Sequence, residues 1–268
     1  MTAPDFEVRG TEDGVVAWNS TRLSFEPKGA QLDYREQLRQ ALLRVRPDQS
    51  GVLDAEYATP DHDFADLENV LLYNVGSRYY RHLSANGLTC RRVDSADSRH
   101  RVRYSMTNSP SNESFDGDVF ARSSLSDAVH THGPAAWWAA FSSRIEVSQL
   151  EGKIGQYTIS VEVGHRWSVP GAVGGLKPML DGLISALHSH DGSNQEHIVE
   201  ALLPLGDASR MWDSLMNERT AVLGQRRLIR PHGQGIAWNP ADERCSAFRV
   251  IAAQRPGALE VTLAHAVS

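Results

Sequence analysis

The sequence predicts an α+β fold, a largely antiparallel sheet with helices packed on one side. Period-two segments rich in Val, Tyr, Phe and Trp lie toward both ends of the chain. Period-3.6 segments fill much of the remainder. The order, strands then helices then strands, lacks the regular βαβ alternation that a doubly wound parallel sheet requires.

The elements follow in order. Phe6 to Arg9, Val15 to Trp18 and Arg22 to Phe25 read as short strands between Gly, Asp and Asn turns. Gln31 to Val45 reads as a helix, with Leu32, Leu38, Leu42 and Val45 on one stripe and Pro47 past its end. Val52 to Tyr57 is a strand. Residues 61–87 read as helical through Phe64, Leu67, Val70 and Leu71, with Gly76 placed to bend or split the run and Asn86-Gly87 to stop it. Leu88 to Val93 and Arg101 to Met106 are strands. Residues 107–118, TNSPSNESFDGD, form a polar loop and the one soft boundary in an otherwise single domain, 1–268. Gly133-Pro134 opens a helix with proline at its first position. Tyr157 to Val163 alternates as a strand. Residues 174–192, GGLKPMLDGLISALHSHDG, read as a helix framed by Pro178 and Gly192. His197 to Leu203 and Ala208 to Leu223 are helices, and strands return around Leu228, Ile236 to Trp238, Ser246 to Ala252 and Leu259 to Ala264. Gly14 to Asn19 and Gly235 to Asn239 share an Ala-Trp-Asn core, a hint of internal symmetry that two strands ending in Asn turns explain as well.

Composition narrows the class. A chain of 268 residues, 41% hydrophobic and 22% charged, builds a core without staples. The net charge of −6 argues against a dedicated DNA-binding role. Two cysteines, Cys90 and Cys245, far apart and in no C-x-x-C pattern, exclude a disulfide framework and a zinc finger. No apolar run is long enough to span a bilayer, and the first residues do not read as a signal peptide, so the expectation is a cytoplasmic protein with no membrane partner.

Three groups are candidates to carry chemistry. On the 174–192 helix, Lys177, Asp181, Ser185 and His188 share a stripe beside the apolar one of Leu180, Leu183, Ile184 and Leu187. Asp181, His188 and His190 are the candidate acid–base residues, since a carboxylate beside a neutral imidazole suits proton transfer. The plain alternative is a solvated helix side, with Lys177–Asp181 a weak surface pair. His130 and His132, alternating in HTHG and so on one face of an extended segment, together with Asp191, are the candidate ligands for a divalent metal. His165 stands at a strand end. Arg91, Arg99, Arg101 and Arg103, interleaved with tyrosines, are the candidate substrate-binding residues, because guanidinium forks match phosphate oxygens.

Lys177-Pro178-x-x-Asp181 resembles part of the K-P-D-x-D-N helix start of RusA-type junction-resolving nucleases, over about 16 residues. Met179 stands where that family places its first catalytic acid and Gly182 where it has Asn. No acidic pair follows, so the carboxylate cluster that two-metal chemistry needs is incomplete in this stretch and membership is not assigned.

Two readings follow. The first is an intracellular enzyme, a metal-dependent hydrolase or phosphodiesterase, whose His/Asp cleft acts on an anionic, phosphate-bearing substrate. The second is a non-catalytic binding or assembly subunit, whose Arg/Tyr surface meets nucleic acid or a protein partner.

Overall fold

The computed structural model describes residues 5–60, 66–95, 98–108, 113–126, 133–148, 154–164, 167–233, 235–253 and 258–267. The chain opens with β1 (Phe6–Gly10), β2 (Gly14–Asn19), α1 (Ala30–Leu42) and β3 (Val52–Thr59). Short helical turns over 69–83 lead to β4 (Gly87–Asp94) and β5 (His100–Thr107). Then come β6 (Val119–Leu125), α2 (Pro134–Ser142), β7 (Glu146–Val147), β8 (Tyr157–Val163), α3 (Val169–Gly174), α4 (Leu176–Ser185) and β9 (Ser189–His190). The chain continues through α5 (Gln195–Leu202), α6 (Ala208–Leu215), β10 (Gln225–Arg226), β11 (Ile229–His232), β12 (Gly235–Trp238), β13 (Cys245–Ala252) and β14 (Leu259–His265).

Ten of these strands form one sheet in the order β1-β2-β5-β3-β4-β13-β8-β14-β6-β7. Seven of its nine pairings are antiparallel, and β3–β4 and β8–β13 are parallel. The order contains one unit twice. The segment β2-α1-β3-crossover-β4-β5 gives the sheet order β2-β5-β3-β4, and β6-α2-β8-crossover-β13-β14 gives β6-β14-β8-β13. In each unit the second and third strands are parallel and the other pairs antiparallel. The units meet through the antiparallel β4–β13 pair, as an approximate two-fold axis normal to the sheet requires. The Ala-Trp-Asn motif does not mark this repeat. Its first copy is β2, but its second is β12, in a separate hairpin with β11.

Alternation sorts the side chains between the two faces. Leu53, Ala55 and Tyr57 of β3, Val102 and Tyr104 of β5, and Ile159 and Val161 of β8 join Leu38 and Leu42 of α1, Trp138 and Phe141 of α2 and Leu183 of α4 in one core. The opposite face carries Asp54 and Glu56 of β3, Arg91 of β4 and Arg101 and Arg103 of β5. The fold class is therefore the one the sequence predicts. Helix α4 lies close against α2 because Gly182 leaves room. A Cβ there would sit 2.5 Å from Trp137 Cβ and 2.6 Å from the Trp138 backbone nitrogen. Among the described residues no helix is long and apolar enough to cross a membrane.

Four segments differ from expectation. Arg22 to Phe25 is not a strand, because the Gln31 side chain accepts from Ser24 N at 3.1 Å and donates to Arg22 O at 3.0 Å, replacing ladder partners. Within 61–87, residues 61–65 lie outside the described part. Beyond them a short helix with a π turn at Asn69–Tyr73 ends at Gly76, whose φ of 98° leaves the helical region. The 174–192 helix ends at Ser185, so His188 and His190 sit beyond it, the latter in β9. The helix placed at 208–223 stops at Leu215.

Candidate functional site

The two crossovers bring five ionisable residues together over the centre of the sheet. Asp66 and Glu68 follow β3 in the first unit. Lys177 and Asp181 lie one turn apart on α4, and Asp242 opens the turn before β13, all in the second unit. Lys177 Nζ is 3.3 Å from Asp66 Oδ2, 3.3 Å from Glu68 Oε2, 3.3 Å from Asp181 Oδ1 and 3.9 Å from Asp242 Oδ2. The Glu68 contact is an ion pair whose angle falls short of a hydrogen bond. The Lys177 side chain is 24% exposed, and Glu68 8%. Leu67, Leu180, Ile184, Cys245 and Phe248 close the cavity around them, leaving room for about one water.

Burial decides the electrostatics. It pushes the Glu68 carboxyl up to about 8, with Lys177 opposing and Asp66 and Asp181 adding to the rise. It pushes Asp181 up to about 6, again against Lys177. Asp242 is pushed up by burial and by its charge contact and hydrogen bond with Asp66. For Lys177, burial opposes the ammonium, but the surrounding carboxylates outweigh it and raise its pKa. The cluster is thus an ammonium held among carboxyl groups, of which Glu68 and Asp242 are the ones burial keeps protonated at neutrality.

Asp66 also lines a second cleft of about 180 Å³. Arg22, Leu23 and Phe25 form one wall, and Asn69, Val70 and Asn74 the other. Asn69 Nδ2 donates to Asp66 Oδ2, and Asn74 Nδ2 donates to Leu23 O at 3.0 Å. Asn69 Oδ1 and Asn74 Oδ1 are buried and have no hydrogen-bond partner. Phe25, 62% exposed, stacks on Tyr73, 48% exposed, with centroids 5.4 Å apart and planes 5° apart.

Of the residues expected to carry acid–base chemistry, Asp181 alone is in this cluster. His188 is buried; its Nδ1–H donates to Gly224 O at 2.8 Å and its Nε2 accepts from Ala241 N at 3.3 Å. Burial pushes its pKa down to about 4, so the ring is neutral at pH 7 with both nitrogens engaged. His190 is fully buried between Ser193 O, 2.8 Å from Nε2, and Ile229 N, 3.5 Å from Nδ1, with its ring edge on Trp212. Asp191, with its Oδ1 3.6 Å from His190 Nε2, spends that oxygen on Ser193 N and Oγ at 3.0 and 2.7 Å, closing a turn. These hydrogen bonds hold together the segment that leaves α4. His130, His132 and His165 lie outside the described residues. Among the described residues, no group of three or more His, Cys, Asp or Glu could hold a metal ion. In the acid cluster an ammonium already occupies the centre.

The arginines lie on the polar face of the sheet. Glu56 stands opposite both Arg91 and Arg103 in the ladder. Arg91 NH2 is 2.5 Å from Glu56 Oε1 and 3.1 Å from Asp54 Oδ2, and Arg103 NH1 is 3.5 Å from Glu56 Oε2. Arg99 lies 5.9 Å from the Trp18 ring, and Arg101 is Trp18's partner in the β2–β5 ladder. Tyr79, Tyr80 and Tyr104 are buried, and Tyr104 OH donates to Leu71 O. Cys90 and Cys245 are free buried thiols, and burial pushes both pKa values up, away from the reactive thiolate.

Sequence reasoning missed Asp66, Glu68, Asp242, Asn69 and Asn74. One signal was present: Glu68 falls between Leu67 and Val70 in an otherwise apolar helical run, where a solvated acid has no place. The comparisons with known proteins add nothing to this geometry, since no family model, curated protein or solved structure matches the chain.

Proposed function

We propose that the chain is a non-catalytic binding module that takes a small ligand in the cleft between residues 22–25 and 66–74. The observation that carries this reading is the position of Asp66, which lines both the larger cleft and the small cavity of the Lys177 cluster. The cleft thereby gains a rigid polar floor, which a selective site needs. A hydrolytic reading has less support. The imidazoles of His188 and His190 are committed to backbone partners, and the cluster's cavity is too small for a substrate. The unpaired, buried thiols suit a cytoplasmic setting.

The test is a thermal-shift screen of small metabolites grouped by charge, run in parallel on the protein and on a Ser24→Trp variant that fills the cleft from its exposed wall. Ligands that raise the melting temperature of the first and not of the second support the reading. Stabilisation that survives Ser24→Trp, or turnover of any stabilising compound, overturns it.

A further inference from the structure

We infer that two copies of this chain associate by pairing β1 with β1 antiparallel, so that one sheet runs through both. The sheet has two edges. At one, β7 is two residues long; at the other, β1 is five, in regular register, with no proline or bulge to blunt it. Hydrogen-bond parity fixes which of its backbone groups are unmet. Thr11 N donates to Gly14 O at 2.8 Å and Asp5 O accepts from Ser20 N at 2.9 Å, both toward β2. In this unbroken ladder Glu7 and Arg9 face the same way, so Phe6, Val8 and Gly10 turn their N–H and C=O groups outward. Among the described residues these outward groups have no backbone partner.

Self-complementarity identifies the occupant. A two-fold axis normal to the sheet beside Val8 sets Val8 opposite Val8 of the second copy and Phe6 opposite Gly10. These are the outward residues, so each pair exchanges two backbone hydrogen bonds. The same register sets Glu7 opposite Arg9 of the second copy, and Arg9 opposite Glu7, in the pairs whose side chains lie closest. Sliding one strand by two residues would preserve the backbone bonds but set Glu7 on Glu7 or Arg9 on Arg9. The contact within one chain, Arg9 Nε to Glu7 Oε1 at 2.6 Å, survives, because the terminal guanidinium nitrogens are left for the second carboxylate.

Helix α1 carries the same symmetry. It lies over β1 and β2, with Tyr34 against Phe6, ring centroids 5.6 Å apart, and Ala41 against Gly10. Val8 is therefore level with the middle of the helix, near Gln37 and Leu38. With strands about 4.8 Å apart, two such helices come side by side at roughly the 8–10 Å of packed helices. Arg39, on the inner flank of α1, donates to the Val75 carbonyl. The outer flank is the stripe Asp33, Gln37, Gln40 and Arg44, all exposed and spaced four, three and four. Run antiparallel against itself, this stripe sets Asp33 toward Arg44 of the second copy and glutamines toward glutamines. Strand and helix thus match a second copy about one axis, as an isologous contact requires.

The experiment is sedimentation velocity of the full chain over a wide concentration range, with melting temperatures measured alongside. The unmodified protein should show a monomer–dimer equilibrium. Glu7→Arg makes the edge wholly basic and Arg9→Glu wholly acidic, and each alone should weaken the dimer about tenfold to a hundredfold. An equimolar mixture of these two variants should recover most of the association, because every cross-strand pair is again opposite in sign. Val8→Pro removes an outward N–H and no bond to β2, and should abolish the dimer; should it also impair folding, the charge variants, which alter exposed side chains, decide. A protein that stays monomeric at every concentration overturns the inference. A dimer indifferent to the charge variants and their mixture overturns the assignment to β1, and species larger than a dimer overturn the closed two-fold contact. None of these readouts involves the 22–25 cleft, so the dimer and the binding reading stand or fall separately.

Discussion

Asp66 Oδ2 and Lys177 Nζ, 111 residues apart in sequence, lie 3.3 Å apart across the seam between the two repeated units of the sheet. Neither residue belongs to the sheet. Each stands on the crossover of its own unit, and the antiparallel β4–β13 pair brings the crossovers together. The ion pair therefore joins two structural repeats, and the cleft bordered by Asp66 opens beside that joint.

Removing the ammonium should expose the strain it neutralises. Lys177→Met leaves Asp66, Glu68, Asp181 and Asp242 facing one another with little water. Breaking a buried pair from one side costs about 3–5 kcal/mol. The acids can relieve this cost by taking up protons, so the loss should be larger at pH 8 than at pH 5. Urea unfolding of both proteins at the two pH values measures it. A loss independent of pH would mean that the carboxyls are not the source.

The unmodified protein should be most stable on the acid side of neutrality. Glu68 and Asp181 have folded pKa values of about 8 and about 6, and Asp242 and Asp54 are also raised by burial. Between the unfolded carboxyl pKa, roughly 4, and these values, the native state binds more protons than the unfolded chain, so stability falls as pH rises. His188 acts oppositely. Its folded pKa of about 4 lies below its unfolded value near 6.5, so the native state binds fewer protons in that interval and stability rises with pH. Three raised carboxyls outweigh one imidazole, so these groups should make stability fall from pH 5 to pH 9, with His188 making the decline shallower below its unfolded pKa. Urea midpoints across pH 5–9 trace the curve. Glu68→Gln should flatten the decline between pH 6 and 8, and an unaltered slope would remove Glu68 from the account.

Gly182 is where α4 meets α2. A methyl group there would press on the Trp137 side chain, the Trp138 nitrogen and the Pro134 carbonyl, at 2.5–2.7 Å. Two of these contacts are backbone and cannot swing aside. Gly182→Ala should therefore cost about 1–3 kcal/mol despite its better helix propensity. It should also lower the melting temperature and, by shifting α4, loosen the Lys177 cluster. A neutral or stabilising result would show that the helices separate freely.

The part of this architecture legible in the sequence is the part written in local periodicity. Tyr157 to Val163 and Leu259 to Ala264 read as strands because their side chains alternate, and the Leu180, Leu183, Ile184, Leu187 stripe correctly marks what α4 and the turn after it bury. The i,i+4 spacing of Lys177 and Asp181 was also visible. Their burial was not, because the walls come from Asp66, Glu68 and Asp242, which no local pattern connects to α4. His188 and His190 misled for a local reason: the helix ends at Ser185, three residues before His188, and its exit is held by imidazole–backbone bonds that spacing cannot reveal.

The arginines give the sharpest contrast between a sequence pattern and its physical use. Arg101 and Arg103 alternate as a phosphate-binding face would, and Arg91 was read with them, yet Arg91 and Arg103 both flank Glu56, and Arg91 also reaches Asp54. The Asp54 and Glu56 side chains are only 7% and 10% exposed, so they depend on these guanidinium groups for compensation. Arg91→Ala should consequently act on stability, costing about 3–5 kcal/mol as for one side of a buried pair. Affinity for any ligand of the 22–25 cleft should be unchanged by the same substitution. Arg91→Lys should recover only part of the loss, because an ammonium cannot span Glu56 and Asp54 as the fork does. Chemical denaturation and titration on the same preparations separate the two effects. An Arg91→Ala protein of full stability but weakened anion binding would restore the arginine ladder as a substrate site.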